Sequence, residues 1–201
     1  RLFERNRMRQ RKVKNVEDPK IQKADDIIVR VTSSAICGSD LHLIHGLVPN
    51  LPKGFVLGHE TMGIVEEVGR EVTKVKKGDR VIVPFPVSCG HCWYCEHDLS
   101  SQCDNSNDHG EVGGIFGYSD TYGGNVGPKV IPEHLSDEQV LFLTDILPTS
   151  LWGVDIAGVK SGDTVVVLGC GPVGLLAQKW AIYKGASRVI AVDCVDYRLE
   201  H

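Results

Sequence analysis

The stretch Cys89-Gly90-His91-Cys92-Trp93-Tyr94-Cys95, with a fourth cysteine at position 103, determines how the middle of this 201-residue chain folds. Four thiols at the spacing C-x2-C-x2-C-x7-C can surround one Zn²⁺, which binds four thiolates in a tetrahedron. Protein then fills all four coordination positions, so such a metal leaves no room for a substrate. The spacing therefore predicts a structural zinc that holds a loop in shape, with the ligands Cys89, Cys92, Cys95 and Cys103.

Disulfide bonds and a nucleic-acid-binding zinc ribbon are the alternative interpretations. The chain has seven cysteines, an odd number, and its basic residues 1–14 lack the apolar core of an export signal. We therefore expect reduced thiols and a cytoplasmic protein. The net charge of −4 does not attract phosphates, so we expect no nucleic-acid partner. No apolar run is long enough to cross a bilayer, and we expect no membrane partner.

Short β-branched runs separated by glycine turns come before the cysteines. Residues 27–32 and 81–83 are predicted to be strands, and Gly58, Gly63 and Gly69 are predicted to separate further short strands. Many short strands with glycine turns are typical of a barrel-like β domain.

The pattern changes toward the C-terminal end. Pro148 is predicted to break an apolar segment before a helix at 151–159. From Lys160 onward, two continuous β-branched runs, 164–168 and 188–192, are expected to be strands buried on both faces. With a helix predicted between them at 173–183, they form one βαβ unit.

A glycine-rich turn lies between the first of these strands and the helix. It reads Gly169-Cys170-Gly171-Pro172-Val173-Gly174, and Asp193 ends the second strand. Such glycines allow a tight turn and the close approach of a pyrophosphate to the helix N-terminus. Asp193 is expected to accept hydrogen bonds from the ribose hydroxyls and to repel a 2′-phosphate, which favours NAD over NADP. The predicted cofactor residues are therefore Gly169, Gly171, Pro172, Val173, Gly174 and Asp193. The alternative is a plain strand–turn–helix whose glycines serve packing.

A second metal site is indicated by Cys37 and His59, each in a glycine-flanked turn. Catalytic zinc takes three protein ligands and keeps one position open. Asp145 is an acid within an apolar run, where a charge needs a partner, and it is a candidate third donor. Taken singly, Cys37 is also consistent with a buried small side chain and His59 with a hydrogen-bonded core histidine.

These motifs resemble the zinc-dependent medium-chain alcohol dehydrogenase family. The resemblance rests on the four cysteines, on residues 36–42 and on Gly58-His59-Glu60-x-x-Gly63, and it runs from about Val16 onward. The segment 143–149 is similar to glutathione-independent formaldehyde dehydrogenases, in which Asp replaces a cysteine ligand. This implies two zinc ions per chain, a catalytic one on Cys37, His59 and Asp145 and a structural one on the four cysteines.

The resemblance also implies a fold and a division into domains. The fold class is α/β with an all-β-rich part. Residues 1–148 are expected to form a GroES-like zinc-binding catalytic domain, and residues 149–201 the start of an incomplete Rossmann domain. Full-length relatives are expected to be homodimers or homotetramers.

Roles for four further residues follow from the same resemblance. Ser39 is expected to take the hydroxyl proton of the substrate and His42 to pass it to solvent. Asp40 is expected to orient His59, and Glu60 to lie beside the metal as a transient ligand. The alternative for Ser39 and His42 is a solvated pair in a turn.

The implied activity is hydride transfer from a primary alcohol or a hydrated, formaldehyde-like aldehyde to NAD. Two alternatives stay open: a non-catalytic zinc-binding remnant, and a polyol or threonine dehydrogenase of the same family.

Three departures from the family pattern bear on that activity. The usual first strand is not recognisable in residues 1–14, and roughly a dozen residues are expected to be missing after Gly124. The sequence also stops two strands into a nucleotide domain that needs about six. We therefore expect Val165, Val167, Val189 and Ile190 to be exposed, and the truncated chain to lack part of the nicotinamide site.

Overall fold

A computed structural model describes residues 13, 15–47, 56–106, 114–117 and 128–200. The chain divides into two compact units, Arg1–Thr144 and Asp145–His201. The assignment of residues 1–148 to a catalytic domain and 149–201 to a nucleotide-binding domain stays a prediction. The irregularities predicted in residues 1–14, apart from Val13, and after Gly124 lie outside the described residues.

Antiparallel strands form the sheet of the first unit, in the order β1-β2-β3-β4. The strands are β1 (Ile27–Ala35), β2 (Glu60–Val68), β3 (Arg80–Val83) and β4 (Lys129–Val130). Two clusters of buried side chains pack against this sheet, one around Met62 and Ile82 and one around Val65 and Val81. Over the described residues, β1 and β4 lie at the edges of this sheet.

Gly63 lies inside β2 and does not end a strand, so the prediction of several short strands in this stretch is wrong. It pairs with Val31 of β1. A Cβ atom at Gly63 would come within 2.8 Å of the Arg30 carbonyl carbon and of the Val29 side chain. The glycine therefore permits close approach of two strands, a use that sequence alone does not distinguish from a turn.

Short helices complete the first unit: α1 (Gly38–Ile44), α2 (Trp93–Glu96) and α3 (Asp137–Val140). The second unit begins with α4 (Ile146–Ile156), which contains Pro148, so the prediction that this proline breaks an apolar segment before a helix at 151–159 is wrong. Pro148 occupies the first turn, where an N–H has no intrahelical partner to lose. Among the described residues, no helix is long and apolar enough to cross a membrane.

The predicted βαβ unit is confirmed in the second unit. Strands β5 (Thr164–Leu168) and β6 (Arg188–Val192) pair in parallel, with α5 (Pro172–Tyr183) between them in the chain. The strands are not buried on both faces as predicted, because α5 covers one face only.

The pattern of exposure along these strands also differs from the prediction. Val165, Val167 and Val189 are half-buried, so the prediction that they are exposed is wrong, whereas Ile190 is exposed as predicted. The uncovered face instead carries Val166, Leu168, Ile190 and Val192.

A charged cluster ties α3 to β1 and β3. Asp137 accepts hydrogen bonds from the hydroxyls of Thr32 (2.8 Å) and Ser33 (2.6 Å). The Arg80 guanidinium donates two more, at 2.7 and 3.0 Å. Hydrogen bonds from Ser33, Arg80 and Thr32 lower the pKa of Asp137 to about 2.

We expect Asp137→Asn to destabilise the protein by about 2 kcal/mol at pH 7, because a lowered pKa in the folded state is a stability contribution. That contribution is present above the unfolded-state pKa and is lost as the pH falls through the folded-state value. The difference from wild type should therefore hold from pH 7 to about pH 5 and shrink toward pH 2. Urea unfolding across this range measures it. Glu133→Gln, at an exposed carboxylate, is the control, and a difference that grew in acid would contradict the account.

Candidate metal centres and nucleotide turn

The four predicted thiols come together in the first unit. The sulfur atoms of Cys89, Cys92, Cys95 and Cys103 all lie within 4.8 Å of one another. Three of the pairs are 3.5, 3.9 and 3.9 Å apart. A tetrahedron with Zn–S bonds of about 2.3 Å has sulfur atoms about 3.8 Å apart, so the four thiols fit a zinc ion.

Hydrogen bonds single out Cys89 within this set. Burial opposes ionisation of its thiol, but the backbone N–H of His91, the side-chain amide of Asn105 and the backbone N–H of Cys92 outweigh it and lower the pKa to about 6. Burial raises the pKa of Cys95 to about 11, and the neighbouring thiols add to that rise. Closely spaced thiols cannot all ionise alone, and a divalent cation would remove this conflict.

The predicted second set of donors also converges. The ligand atoms of Cys37, His59 and Asp145 lie within 4.8 Å of one another. Asp145 is the first residue of the second unit and is bonded directly to Thr144, the last residue of the first. Thr144 is buried, and its carbonyl accepts a hydrogen bond from the N–H of Phe85 at 3.3 Å. One thiolate, one imidazole and one carboxylate match the three-ligand sets of catalytic zinc.

Asp40 joins two of these donors. One carboxylate oxygen accepts the Cys37 backbone N–H at 2.9 Å, and the other lies 3.2 Å from Nδ1 of His59. The side chains of Asp40 and His59 are 6% and 4% exposed, so water does not compete for this contact. A histidine that ligates a metal commonly donates its other ring nitrogen to a carboxylate, which fixes the tautomer. Nε2 of His59 is the ring nitrogen that does not face Asp40.

Three further predicted residues differ in how they relate to this set of donors: Ser39, His42 and Glu60. The Ser39 hydroxyl lies 3.2 Å from Nε2 of His59. Glu60 is buried and starts β2 directly after His59. His42 is exposed in the last turn of α1, and no hydrogen bond joins it to Ser39 among the described residues.

Asp145 is held at the start of α4. The Thr149 hydroxyl donates to its carboxylate at 2.9 Å, and the Thr149 N–H donates to its carbonyl at 3.0 Å. The residue is 7% exposed. Burial of a carboxylate is costly without a cation or hydrogen bonds, and the convergence of Cys37 and His59 supplies a place for a cation.

The glycine-rich turn of the second unit has the backbone geometry of a dinucleotide-binding turn. Gly169 adopts φ = +98°, a conformation that favours glycine. At Gly174 a Cβ atom would come within 2.9 Å of the Gly169 carbonyl carbon, so the helix packs closely on the turn. Gly171 is the N-cap of α5, and Pro172 and Val173 begin the helix. This end of α5 presents N–H groups that can bind a phosphate.

Asp193 directly follows β6, and its carboxylate holds this turn in place by hydrogen bonds. Its carboxylate accepts the Cys170 N–H at 2.7 Å and the Val195 N–H at 2.9 Å, and Arg198 lies 3.6 Å away. The Cys170 N–H is the main cause that lowers the pKa of Asp193. The carboxylate is therefore charged at neutral pH and holds the turn against the end of the strand.

Asn105 and Arg198 were not predicted from the sequence. The Asn105 amide donates to the sulfur of Cys89 at 3.4 Å. Asn105 follows Cys103 by two residues, and Arg198 follows Asp193 by five. Their closeness in sequence to predicted site residues is a signal that could have found them. Asn and Arg do not stand out in a loop, however, so the signal is weak.

The family profile of the alcohol dehydrogenase GroES-like domain matches residues 23–134. The uncharacterized zinc-type alcohol dehydrogenase-like protein AdhB of Bacillus subtilis is 58% identical, over 94% of this chain and 54% of that protein. A glutathione-independent formaldehyde dehydrogenase of Pseudomonas aeruginosa is 40% identical, over 92% and 51%.

Among solved structures, the alcohol dehydrogenase TADH from Thermus sp. ATN1 superposes with a TM-score of 0.80 at 40% identity. The match covers 93% of this chain and 56% of that structure. The chain thus spans about half the length of the relatives it matches.

Proposed function

Since the chain belongs to the zinc-dependent alcohol dehydrogenase family and carries its GroES-like domain, we propose that it is the N-terminal part of an oxidoreductase that moves hydride from an alcohol to NAD. The substrate class we propose is a primary alcohol or a hydrated, formaldehyde-like aldehyde. The observation that carries the proposal is the convergence of Cys37, His59 and Asp145 on one point.

The proposal assigns two zinc ions to the chain. Cys89, Cys92, Cys95 and Cys103 would hold a structural ion, and Cys37, His59 and Asp145 a catalytic one. When bound, a zinc ion with one open position supplies Lewis acidity that lowers the pKa of an alcohol oxygen. Glu60 is buried and follows His59 directly in the chain, and it is proposed as a transient ligand.

Side chains of this protein are proposed to carry the hydroxyl proton of the substrate to solvent. Ser39 is proposed to accept the hydroxyl proton of the substrate, and the 3.2 Å distance from its hydroxyl to Nε2 of His59 supports this role. His42 is exposed and can release that proton to solvent, which requires a bridging group between the two residues. Asp40 keeps the His59 ring in the ligating orientation. A bound NAD would supply the hydride acceptor, so that the alcohol would lose a hydride from its carbon and a proton from its oxygen.

The second unit is proposed to bind the dinucleotide. The turn around Gly169, Gly171 and Gly174, with Pro172 and Val173 at the helix start, would hold the pyrophosphate, and Asp193 would accept hydrogen bonds from the adenosine ribose. Arg198 beside Asp193 offers a guanidinium that suits a 2′-phosphate, so NADP is the rival cofactor.

Formation of NADH from formaldehyde and from short primary alcohols, by the full-length protein loaded with zinc, tests the proposal. Turnover of these substrates supports it. Absence of turnover with both metals confirmed contradicts it, and turnover of polyols or threonine alone would show that the substrate class is polyols or threonine.

Light scattering on the same sample tests the proposed dimer or tetramer. Seven cysteines free of disulfides suit a reducing compartment such as the cytoplasm, which fractionation checks.

We expect Asp193→Asn to lower the ratio of NAD to NADP affinity by about tenfold, the equivalent of one charge-assisted hydrogen bond. The neutral amide keeps the size of the side chain but no longer repels a 2′-phosphate. Calorimetric titration with both dinucleotides measures the ratio. Asp196→Asn, at an exposed acid in the following turn, is the matched control. An unchanged ratio in Asp193→Asn would remove Asp193 from cofactor selection.

A further inference from the structure

The segment Gly114–Gly117 is hydrogen-bonded at its Gly114 end to residues that flank the four cysteines. Ser106 is 3% exposed, and its hydroxyl donates to the Cys103 carbonyl at 3.1 Å. The same hydroxyl accepts the Gly114 N–H at 2.9 Å. The Gly114 carbonyl accepts the N–H of Val87, two residues before Cys89, at 2.8 Å. This end of the segment is therefore fixed to both ends of the cysteine loop.

The other end of the segment packs on the turn that carries His59. Gly117 adopts φ = +60°, and a Cβ atom there would lie 2.5 Å from the Gly58 carbonyl carbon and 2.7 Å from the Gly58 nitrogen. Backbone atoms cannot move aside as the end of a flexible side chain can. Any side chain at position 117 must therefore displace Gly58, and with it the neighbouring ligand His59.

Phe85 connects the middle of the segment to the same ligands. Its carbonyl accepts the Phe116 N–H at 3.0 Å, and its own N–H donates to Thr144, the residue before Asp145. The Phe85 ring meets the His59 ring edge-on, with centroids 6.0 Å apart. Backbone hydrogen bonds and packed rings of this kind transmit a displacement because they do not deform continuously.

We infer that the segment Gly114–Gly117 couples the two metal centres, with Ser106 and Gly117 as positioning residues for the His59 ligand. The inference rests on the proposed function, because it requires a metal on Cys37, His59 and Asp145. Zinc on the four thiols orders the cysteine loop, the loop fixes the segment through Ser106, and the segment fixes the Gly58–His59 turn. By linkage, each metal then strengthens the binding of the other.

The test is the zinc affinity of the second site, measured by competition with a chelator while the four-thiol site stays filled. We expect Gly117→Ala to weaken the second site by about 10- to 100-fold, the range typical of residues that orient metal ligands. The four-thiol zinc should remain, which shows that the variant folds. Gly158→Ala is the matched control, because Gly158 has a similar φ of +68° but open space at its Cβ position. Ser106→Ala, a milder change, should weaken the second site in the same direction.

A double-mutant cycle separates coupling from simple local damage. Cys103→Ala should lower the affinity of the second site, and adding Ser106→Ala to it should lower the affinity no further. Wild-type affinity in both Gly117→Ala and Ser106→Ala overturns the inference, and additive losses in the cycle overturn the coupling. Both outcomes leave the proposed function intact. A wild-type protein that binds zinc at the four thiols alone contradicts the proposed function and the inference with it.

Discussion

Cys37→Ala is expected to remove one of two zinc ions and to reduce alcohol oxidation by at least about a thousandfold. The reason is that Lewis-acid stabilisation contributes several kcal/mol to such reactions, and each 1.36 kcal/mol is a factor of ten in rate. Alanine keeps the backbone N–H that donates to Asp40, and Asp40 keeps its contact with His59. The substitution therefore removes the proposed thiolate ligand alone.

Zinc content by mass spectrometry and NADH formation by the full-length protein measure the two effects together. Cys194→Ala, at an exposed cysteine, is the matched control and should keep both ions and full activity. Loss of activity with both zinc ions retained would show that Cys37 acts in another way than as a ligand.

Cys103→Ala is expected to have the largest effect on stability, at least about 3 kcal/mol. The binding energy of a structural zinc, on the order of 10 kcal/mol, is folding free energy, and three thiolates recover only part of it. The loop held by these thiols carries little apolar burial of its own: neither α2 nor the short helical turn Ser100–Gln102 has a buried residue. Without the metal, few other contacts replace the four thiolates.

Urea unfolding with and without a strong chelator measures this effect. The chelator should bring wild type down to the stability of Cys103→Ala and should leave the variant nearly unchanged. A variant as stable as wild type would mean that the four thiols do not hold a structural metal.

The metal donors were predictable because metal chemistry restricts both residue type and spacing. Four cysteines within fifteen residues are close enough in the chain to share one ion, and their sulfur atoms are found at tetrahedral spacing. Cys37, His59 and Asp145 are far apart in the chain, so residue chemistry made each only a candidate donor, and the resemblance to a family assigned them to one site. Their convergence is now a geometric observation, whereas their roles in catalysis stay proposals.

The failed predictions share a physical cause, which is that local signals have more than one use. The sequence predicts breaks at Gly63 and Pro148, but the first permits close strand contact and the second lies where a helix tolerates proline. The β-branched runs of β5 and β6 indicated burial on both faces, yet burial depends on what packs above each face. Gly117 gave no signal at all, because its importance arises from the backbone of Gly58, far away in sequence.

Anomalous X-ray scattering at the zinc edge, from crystals of the zinc-loaded protein, shows directly whether both sets of donors bind zinc. We expect two peaks, one within the four sulfur atoms and one bonded to Cys37, Nε2 of His59 and the Asp145 carboxylate. A single peak at the four thiols, with the other three donors hydrogen-bonded and free of metal, would contradict this expectation.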